Sequence, residues 1–258
     1  MGRPRVLVLR APGTNCDRET AYAFSQVGAI PELCHVNRLR EEPSRLDQFQ
    51  ILCLPGGFSY GDDIAAGRIL AGQIRHHLAD AIERFRQAGK LVLGICNGFQ
   101  VLVKSGILLP ELLGKCQATL TWNQVGRFQD RWVRLKVASH KCVFLRPDDE
   151  LFLPVAHAEG KFVSRDAATL TRLEQQGQLV LRYVDDRGCW ATDFPANPNG
   201  SEAGVAGVCD ETGRVLGLMP HPERHFDPTH HPHWTRLDRL PDHGDGRRIF
   251  ENAVAYFA

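Results

Sequence analysis

A cysteine stands where an apolar run ends and a helical pattern begins. The run Leu91–Ile95 stops at Cys96, and glycines occupy positions 94 and 98. A sharp strand-to-helix turn strains its central residue, so the residues two positions away must be small. A helix N-terminus also favours a thiolate through its dipole and free N–H groups. The spacing predicts that Cys96 is a nucleophile, and the alternative is a buried packing cysteine.

A thiolate nucleophile needs a base, and the best candidate lies far downstream. The predicted strand Val215–Met219 is followed by His221, Pro222 and Glu223. A residue before proline favours extended geometry, and residues two apart on an extended segment project to the same side. We therefore predict that Glu223 orients His221 and stabilises its charge, as in a nucleophile–base–acid triad. The alternative is a loop histidine beside a solvated carboxylate.

A tetrahedral intermediate also needs hydrogen-bond donors. The loop Pro55-Gly56-Gly57 follows a third apolar strand, where backbone N–H groups can point into a site. Together with the N–H of Asn97, the Gly57 N–H would form an oxyanion hole. A Gly-Gly pair is also a common plain turn, so this loop alone is a weak signal.

Hydrophobic periodicity indicates the elements that position these residues. The first part of the chain predicts strands and helices in alternation, at Arg5–Arg10, Asp17–Gln26, Ile30–Val36, Gln50–Leu54, Ile64–Gln87 (helical, broken once), Lys90–Ile95 and 97–104. After about residue 115 the strands follow a more antiparallel order, at Arg131–Val137, Leu151–Val155, Leu179–Val184, Val205–Cys209 and Val215–Met219, with helices at Ala167–Gln176 and Asp245–Tyr256. Near-continuous apolar strands alternating with helices predict a sheet covered on both faces. We expect one α/β domain over residues 1–258, with three layers, a mixed, mostly parallel central sheet and a surface loop at 225–245.

Composition excludes several classes of protein. The 258 residues carry a formal net charge of +1, which disfavours a general nucleic-acid or membrane-surface binder. No apolar run approaches the roughly 20 residues that span a bilayer. The eight cysteines include no C-x-x-C pair, so we expect free thiols in a reducing cytoplasm.

Taken together, the three motifs resemble the class I (triad) glutamine amidotransferase family. That family carries a G-x-C-x-G-x-Q turn, an upstream P-G-G loop and a downstream H-P-E, which stand here at 94–100, 55–57 and 221–223. The resemblance implies a flavodoxin-like fold and hydrolysis of L-glutamine through a thioester on Cys96. It also implies that Gly56 and Gln100 bind the substrate glutamine.

Further stretches narrow the resemblance to one branch of that family. The segments 11–17, 54–62, 94–100, 197–201 and 219–224 resemble the glutaminase subunits of the ATP-dependent synthase that makes formylglycinamidine ribonucleotide in purine biosynthesis. The resemblance implies a large synthetase subunit as partner, which binds ATP and magnesium and receives the ammonia, and a small third subunit. The chain itself has no phosphate-binding loop, and we expect no cofactor or metal on it.

Other readings stay open. A cysteine-dependent α/β hydrolase would place its acid well upstream of the histidine, and a non-catalytic binding member of the fold would usually lack part of the triad. Cys16 could be a second reactive thiol, and the histidines of 225–233 could bind a metal. Two positions depart from the family pattern. Ala158 replaces a glycine, which is costly if φ is positive there, and Val125 replaces a serine.

Overall fold

The first half of the chain alternates strands and helices, as the hydrophobic pattern predicted. The computed structural model describes residues 2–147 and 149–258. The strands are β1 (Arg5–Arg10), β2 (Ile30–His35), β3 (Ile51–Leu54) and β4 (Leu91–Ile95), and the helices are α1 (Asp17–Gln26), α2 (Val36–Glu41), α3 (Arg68–His77), α4 (Ala79–Gln87) and α5 (Asn97–Ser105). Strands β3 and β4 are buried at every position, as expected when helices cover both faces of a sheet.

The second half is mainly antiparallel. Its elements are β5 (Ala118–Thr121), β6 (Gln129–Val137), β7 (Glu150–His157), β8 (Lys161–Ser164), α6 (Ala167–Gln175), β9 (Leu181–Val184), β10 (Val205–Cys209), β11 (Val215–Leu218) and α7 (Arg247–Ala255). The sequence did not indicate α2, β5 or β8. The predicted helical stretch 64–87 begins only at Arg68, because Gly67 has φ +72°, and it divides at Leu78.

A nine-stranded mixed sheet organises the molecule, in the order β2-β1-β3-β4-β11-β10-β9-β6-β7. Neighbours from β2 to β11 are parallel, and the pairs from β11 to β7 are antiparallel. The register pairs Leu54 with Gly94 and Leu218 with Ile95, so β3, β4 and β11 end at one edge. The motifs at 55–57, 94–100 and 221–223 therefore converge at that edge.

Helices cover both faces of this sheet. α1 packs against α7, while α3 packs against α5. The parallel crossovers run outward from β1 in both directions, which places these two helix pairs on opposite faces. The predicted three-layer α/β fold is confirmed. No helix in the described part of the chain is long and apolar enough to cross a membrane.

The segment 225–245 leaves this framework between β11 and α7. His225 and Phe226 at its start are buried, and so is Gly244 near its end. Residues 227–243 between them are exposed or half-buried, with two short 3-10 turns at Pro228–His230 and Trp234–Arg236.

Candidate active site

Cys96 occupies a strained turn between β4 and α5. Its backbone has φ +51° and ψ −104°, a left-handed conformation that non-glycine residues rarely adopt. Its N–H donates to the Leu218 carbonyl at 2.8 Å, and its thiol donates to the Ala156 carbonyl at 3.7 Å. Strands on both sides thus hold the cysteine, and this supports the predicted nucleophile turn rather than a packing cysteine.

The flanking glycines are required for steric reasons. A Cβ on Gly98 would lie 1.9 Å from the Leu54 carbonyl oxygen. A Cβ on Gly94 would lie 2.5 Å from Leu102 Cδ1 and 2.7 Å from the Gly98 oxygen. Neither position has a positive φ, so it is the close approach of α5 to β3 and β4 that excludes a side chain.

His221 and Glu223 form a buried pair at the end of β11. His221 Nδ1 lies 2.6 Å from Glu223 Oε1, and the two residues are 1% and 3% exposed. The His221 N–H donates to the Pro154 carbonyl on β7 at 2.8 Å. His221 is extended, as predicted, but a 3-10 turn over Pro222–His225 carries Glu223, so the pair meets through a turn instead of a continued strand.

Electrostatics favour the protonated imidazole. Burial lowers the pKa of His221, but interactions with the Glu223 carboxylate first, and then with the sulfurs of Cys96 and Cys16, outweigh it and raise the pKa well above its ordinary value. The other ring nitrogen, Nε2, is buried without a hydrogen-bond partner among the described residues. It is therefore available for the proton exchange with Cys96 that the sequence predicted.

Two backbone donors lie beside this turn. Gly57 has φ +141°, and its N–H has no acceptor among the described residues. The N–H of Asn97 is the first in α5, where helical N–H groups have no partner within the helix. Ser59 N–H donates to Asn97 Oδ1 at 3.1 Å, which ties the Gly-Gly loop to the first turn of α5. An oxyanion hole formed by the N–H groups of Gly57 and Asn97 stays a prediction.

The predicted glutamine-binding residues lie at the same edge, with different surroundings. Gly56 lies close to His221, since a Cβ there would be 2.8 Å from His221 Cε1. The amide of Gln100 is already bonded at both ends, to Asn97 Nδ2 at 2.9 Å and to the Glu159 carbonyl at 2.6 Å. Substrate binding by Gly56 and Gln100 stays a prediction.

A polar network behind the oxyanion donors was not indicated by the sequence. Asp62 Oδ1 accepts from Asn97 Nδ2 and from Gly67 N–H, both at 3.1 Å. Burial raises the pKa of Asp62, and the nearby charge of Glu159 raises it further. Tyr60 and Asp62 are both left-handed, so the loop is strained where it meets the nucleophile helix.

A further set of loops is tied to the segment that follows Ala156, whose carbonyl meets the Cys96 thiol. The Glu159 carboxylate accepts from Ala66 N–H at 3.2 Å, and Asn199 Nδ2 donates to the Gly160 carbonyl at 2.9 Å. Ala158 does not have a positive φ, so the family glycine is not needed there for backbone freedom. The turn containing Val125 is held by Asn123, whose Nδ2 donates to the His157 carbonyl at 2.9 Å.

The two other candidates proposed from sequence differ in their outcome. Cys16 Sγ lies 4.0 Å from His221 Nδ1 and accepts from Arg224 Nη2 at 3.1 Å, so it lies at the site although residue 16 is distant in sequence. In the histidine-rich segment, His225 Nδ1 is bonded to the Phe152 carbonyl at 2.6 Å and His231 stacks on aromatic rings. Among the described residues, one group of three side chains could hold a metal ion, and it consists of Cys16, His221 and Glu223. The histidine-rich segment, all of which is described, contributes no such group.

Comparison with known proteins agrees with this geometry. A family model for the CobB/CobQ-like glutamine amidotransferase domain matches residues 3–257. The phosphoribosylformylglycinamidine synthase subunit PurQ of Dehalococcoides mccartyi is 46% identical over 257 residues, which cover 99% of this chain and 98% of the relative. The PurQ subunit of Archaeoglobus fulgidus is 41% identical over 268 residues, covering 98% and 96%.

A solved structure, that of PurLQS from Thermotoga maritima, has a chain that matches with a TM-score of 0.75 and 32% identity. The match covers 99% of this chain and 100% of that one. A glutamine amidotransferase of the same organism has a TM-score of 0.52 at 18% identity, which shows the fold alone. The chain therefore belongs to the CobB/CobQ-like glutamine amidotransferase family.

Proposed function

We propose that this chain is the glutaminase subunit of phosphoribosylformylglycinamidine synthase. It hydrolyses L-glutamine to glutamate and ammonia, and it passes the ammonia to an ATP-dependent synthetase subunit that makes formylglycinamidine ribonucleotide in purine biosynthesis. One observation carries the proposal. The buried His221–Glu223 pair stands beside the strained Cys96 in a chain that matches the PurQ subunits over its whole length.

The first half of the proposed reaction forms a thioester. The thiolate of Cys96 attacks the side-chain amide carbon of glutamine, and the carbonyl electrons move onto oxygen. The N–H groups of Gly57 and Asn97 stabilise this oxyanion. His221 Nε2 then donates its proton to the departing nitrogen, so that ammonia leaves and a γ-glutamyl thioester remains on Cys96.

The second half returns the enzyme to its starting state. Neutral His221 takes a proton from a water molecule, which attacks the thioester carbonyl carbon. The same two N–H groups hold the second oxyanion, and its collapse releases glutamate and the Cys96 thiolate. Glu223 holds the imidazole orientation through Nδ1 in both halves and stabilises its positive charge.

The site has to open before glutamine can enter. Cys96 is only 5% exposed and His221 only 1%. We therefore propose that the synthetase large subunit, together with a small third subunit, moves the loops at 57–66 and 156–160 and raises the glutaminase rate.

ATP and magnesium belong on the synthetase subunit in this proposal. We place the chain in the cytoplasm, since its eight cysteines carry free thiols and Cys96 acts only when reduced.

Covalent labelling with 6-diazo-5-oxonorleucine, a glutamine analogue, tests the proposal. Intact-mass and peptide mapping should show one adduct, on Cys96, that glutamine prevents and that Cys96→Ala lacks. Cys116→Ala is the matched control, because Cys116 is an exposed thiol away from the site. Labelling spread over several cysteines, or no labelling in the presence of the synthetase subunit, would contradict the proposed role of Cys96.

A second experiment tests the partner separately. Adding a synthetase large subunit with its small subunit should raise the rate of glutamate formation by this chain, and ammonia should appear in the amidine product. If Cys96 is labelled by the analogue but the subunits form no complex and the rate does not rise, the chain is a glutaminase of another amidotransferase.

A further inference from the structure

Three metal-binding side chains converge in the buried part of the site. Cys16 Sγ, His221 Nδ1 and a carboxylate oxygen of Glu223 all lie within 4.8 Å of one another. The measured separations are 4.0 Å between the sulfur and Nδ1 and 2.6 Å between Nδ1 and Oε1. The proposed glutaminase reaction uses His221 and Glu223 but gives no role to Cys16.

One oxygen atom of the cluster has no hydrogen-bond partner among the described residues. Glu223 Oε2 is buried with no hydrogen-bond donor among the described residues, although the residue is only 3% exposed. An unpartnered carboxylate oxygen in the interior is unfavourable and can be satisfied by a cation. Gly56 lies directly over the cluster, since a Cβ there would be 3.2 Å from Cys16 Sγ and 2.8 Å from His221 Cε1. Gly56 therefore packs closely against both His221 and Cys16, so a side chain at this position would collide with the cluster.

We infer that Cys16, His221 and Glu223 form a binding site for Zn²⁺ that inhibits the enzyme. Thiolate, imidazole and carboxylate are the three ligand types that zinc prefers. Around a tetrahedral zinc with bonds of about 2.0–2.3 Å, neighbouring donor atoms are separated by about 3.3–3.6 Å. The sulfur–nitrogen separation has to shrink by a few tenths of an ångström, and the nitrogen–oxygen separation has to widen by less than about 1 Å. The sulfur–oxygen separation, which is at most 4.8 Å, has to approach the same range, so zinc binding requires all three side chains to adjust.

Charge is balanced in this complex. Zn²⁺ displaces the thiol proton of Cys16 and the Nδ1 proton of His221, and both protons leave to the buffer. The thiolate and the carboxylate then cancel the two positive charges of the ion. Arg224, whose Nη2 lies 3.1 Å from the sulfur, therefore faces a neutral complex instead of a bare cation. In the metal-free protein, the Cys16 thiol donates a hydrogen bond to Asn15 Oδ1 at 3.0 Å.

Zinc in this position would prevent His221 from acting as the proton donor and acceptor of the reaction. With Nδ1 coordinated, His221 loses its hydrogen bond to Glu223, and the metal's charge opposes protonation at Nε2. The imidazole then cannot hold the proton that the leaving ammonia requires. Cys96 is not a ligand, which distinguishes this site from zinc bound directly to the nucleophile and its base.

Metal titration of the full, untagged chain tests the inference without measuring activity. After treatment with chelator and dialysis, Zn²⁺ competition against a chromophoric chelator should give one ion per chain. Cys16→Ser should weaken binding at least about 100-fold, more than the loss of an outer-shell partner does. Cys96→Ala should keep the affinity of the parent chain within about threefold, because it leaves all three ligands in place.

Cobalt spectroscopy provides a second measurement that does not depend on how Cys16→Ser folds. In a Cys96→Ala chain that also carries serine at the exposed positions 116 and 189, Co²⁺ should produce a thiolate-to-cobalt charge-transfer band in the near ultraviolet. A missing band, a wild-type chain that binds no stoichiometric zinc, or zinc binding that is lost in Cys96→Ala but kept in Cys16→Ser would each overturn the site. The last result would place the ion on Cys96 and His221.

Discussion

The carbonyl of Leu218 accepts a hydrogen bond from the N–H of Cys96 at 2.8 Å, and this bond aligns the proposed nucleophile with the strand that leads to the proposed base. β4 and β11 are parallel neighbours with Leu218 opposite Ile95, so the chain leaving β11 passes the nucleophile before it reaches His221. β7 secures the other side, because its Pro154 carbonyl binds the His221 N–H and its Ala156 carbonyl binds the Cys96 thiol.

Removing the charge of Glu223 should lower the pKa of His221. Burial already opposes the imidazolium, and the Glu223 carboxylate is the largest influence that raises the pKa. In Glu223→Gln we expect the ring titration, followed by ¹⁵N NMR, to move to lower pH. We expect kcat to fall by about 10²- to 10⁴-fold, as when a triad acid becomes an amide, with a smaller change in KM. Glu174→Gln, which alters an exposed partner of Arg182, is the control and should change neither quantity. An unchanged ring titration in Glu223→Gln would show that the carboxylate does not set the charge of the base.

A methyl group at position 98 should disrupt the nucleophile turn. In Gly98→Ala the new Cβ would lie 1.9 Å from a backbone oxygen of β3, so β3 and α5 would have to separate. We expect a loss of roughly 3 kcal/mol or more in the free energy of unfolding, measured with urea, together with loss of Cys96 labelling. The matched control is Gly72→Ala in α3, where a Cβ meets nothing within 4 Å and φ is not positive. That change should stabilise the protein by about 0.5–1 kcal/mol, and equal losses in the two variants would contradict the steric argument.

The sequence predicted the elements whose patterns are strong and missed features that depend on distant contacts. The observed bounds of β1 and α1 are the predicted ones, and the Cys96, His221 and Glu223 motifs meet as expected. β5 and β8 were missed because each has four residues and is stabilised only by pairing with the other. The contact between Cys16 and His221 joins segments about 200 residues apart, and no local pattern indicates it. The Asp62 network was missed because it requires left-handed residues that are not glycine.

Asp62 should affect the oxyanion donors through Asn97. In Asp62→Ala, Asn97 Nδ2 and Gly67 N–H both lose an acceptor, so the first turn of α5 is less firmly placed. We expect kcat for glutamine hydrolysis to fall about 10-fold, with little change in KM, because the oxyanion forms only after binding. Steady-state kinetics with the synthetase subunit present measure both quantities. Asp63→Ala changes the exposed neighbour and should leave them unaltered. A rise in KM with kcat unchanged would place Asp62 in substrate binding instead.

His157 should make the fold sensitive to acid. Its ring is buried, with Nδ1 3.1 Å from Asn123 Oδ1, and burial together with the positive charge of His221 lowers its pKa to about 3. In the unfolded chain the ring takes up a proton as the pH falls below about 6.5, whereas the folded chain does not until about pH 3. The contribution of His157 to the free energy of unfolding is therefore fully present above pH 6.5 and is lost between pH 6.5 and pH 3.

Replacing His157 with a residue that does not titrate should flatten this decline. Between pH 7 and pH 5 the wild type should lose about 2 kcal/mol more than His157→Gln in the free energy of unfolding measured with urea, since one proton contributes about 1.4 kcal/mol per pH unit. The other buried histidines remain in both proteins and cancel in this difference. The control, His76→Gln, alters an exposed ring on α3 and should keep the wild-type slope. Equal slopes in the wild type and His157→Gln would mean that the folded protein admits the proton at His157 without losing the Asn123 contact. The acid sensitivity would then arise elsewhere.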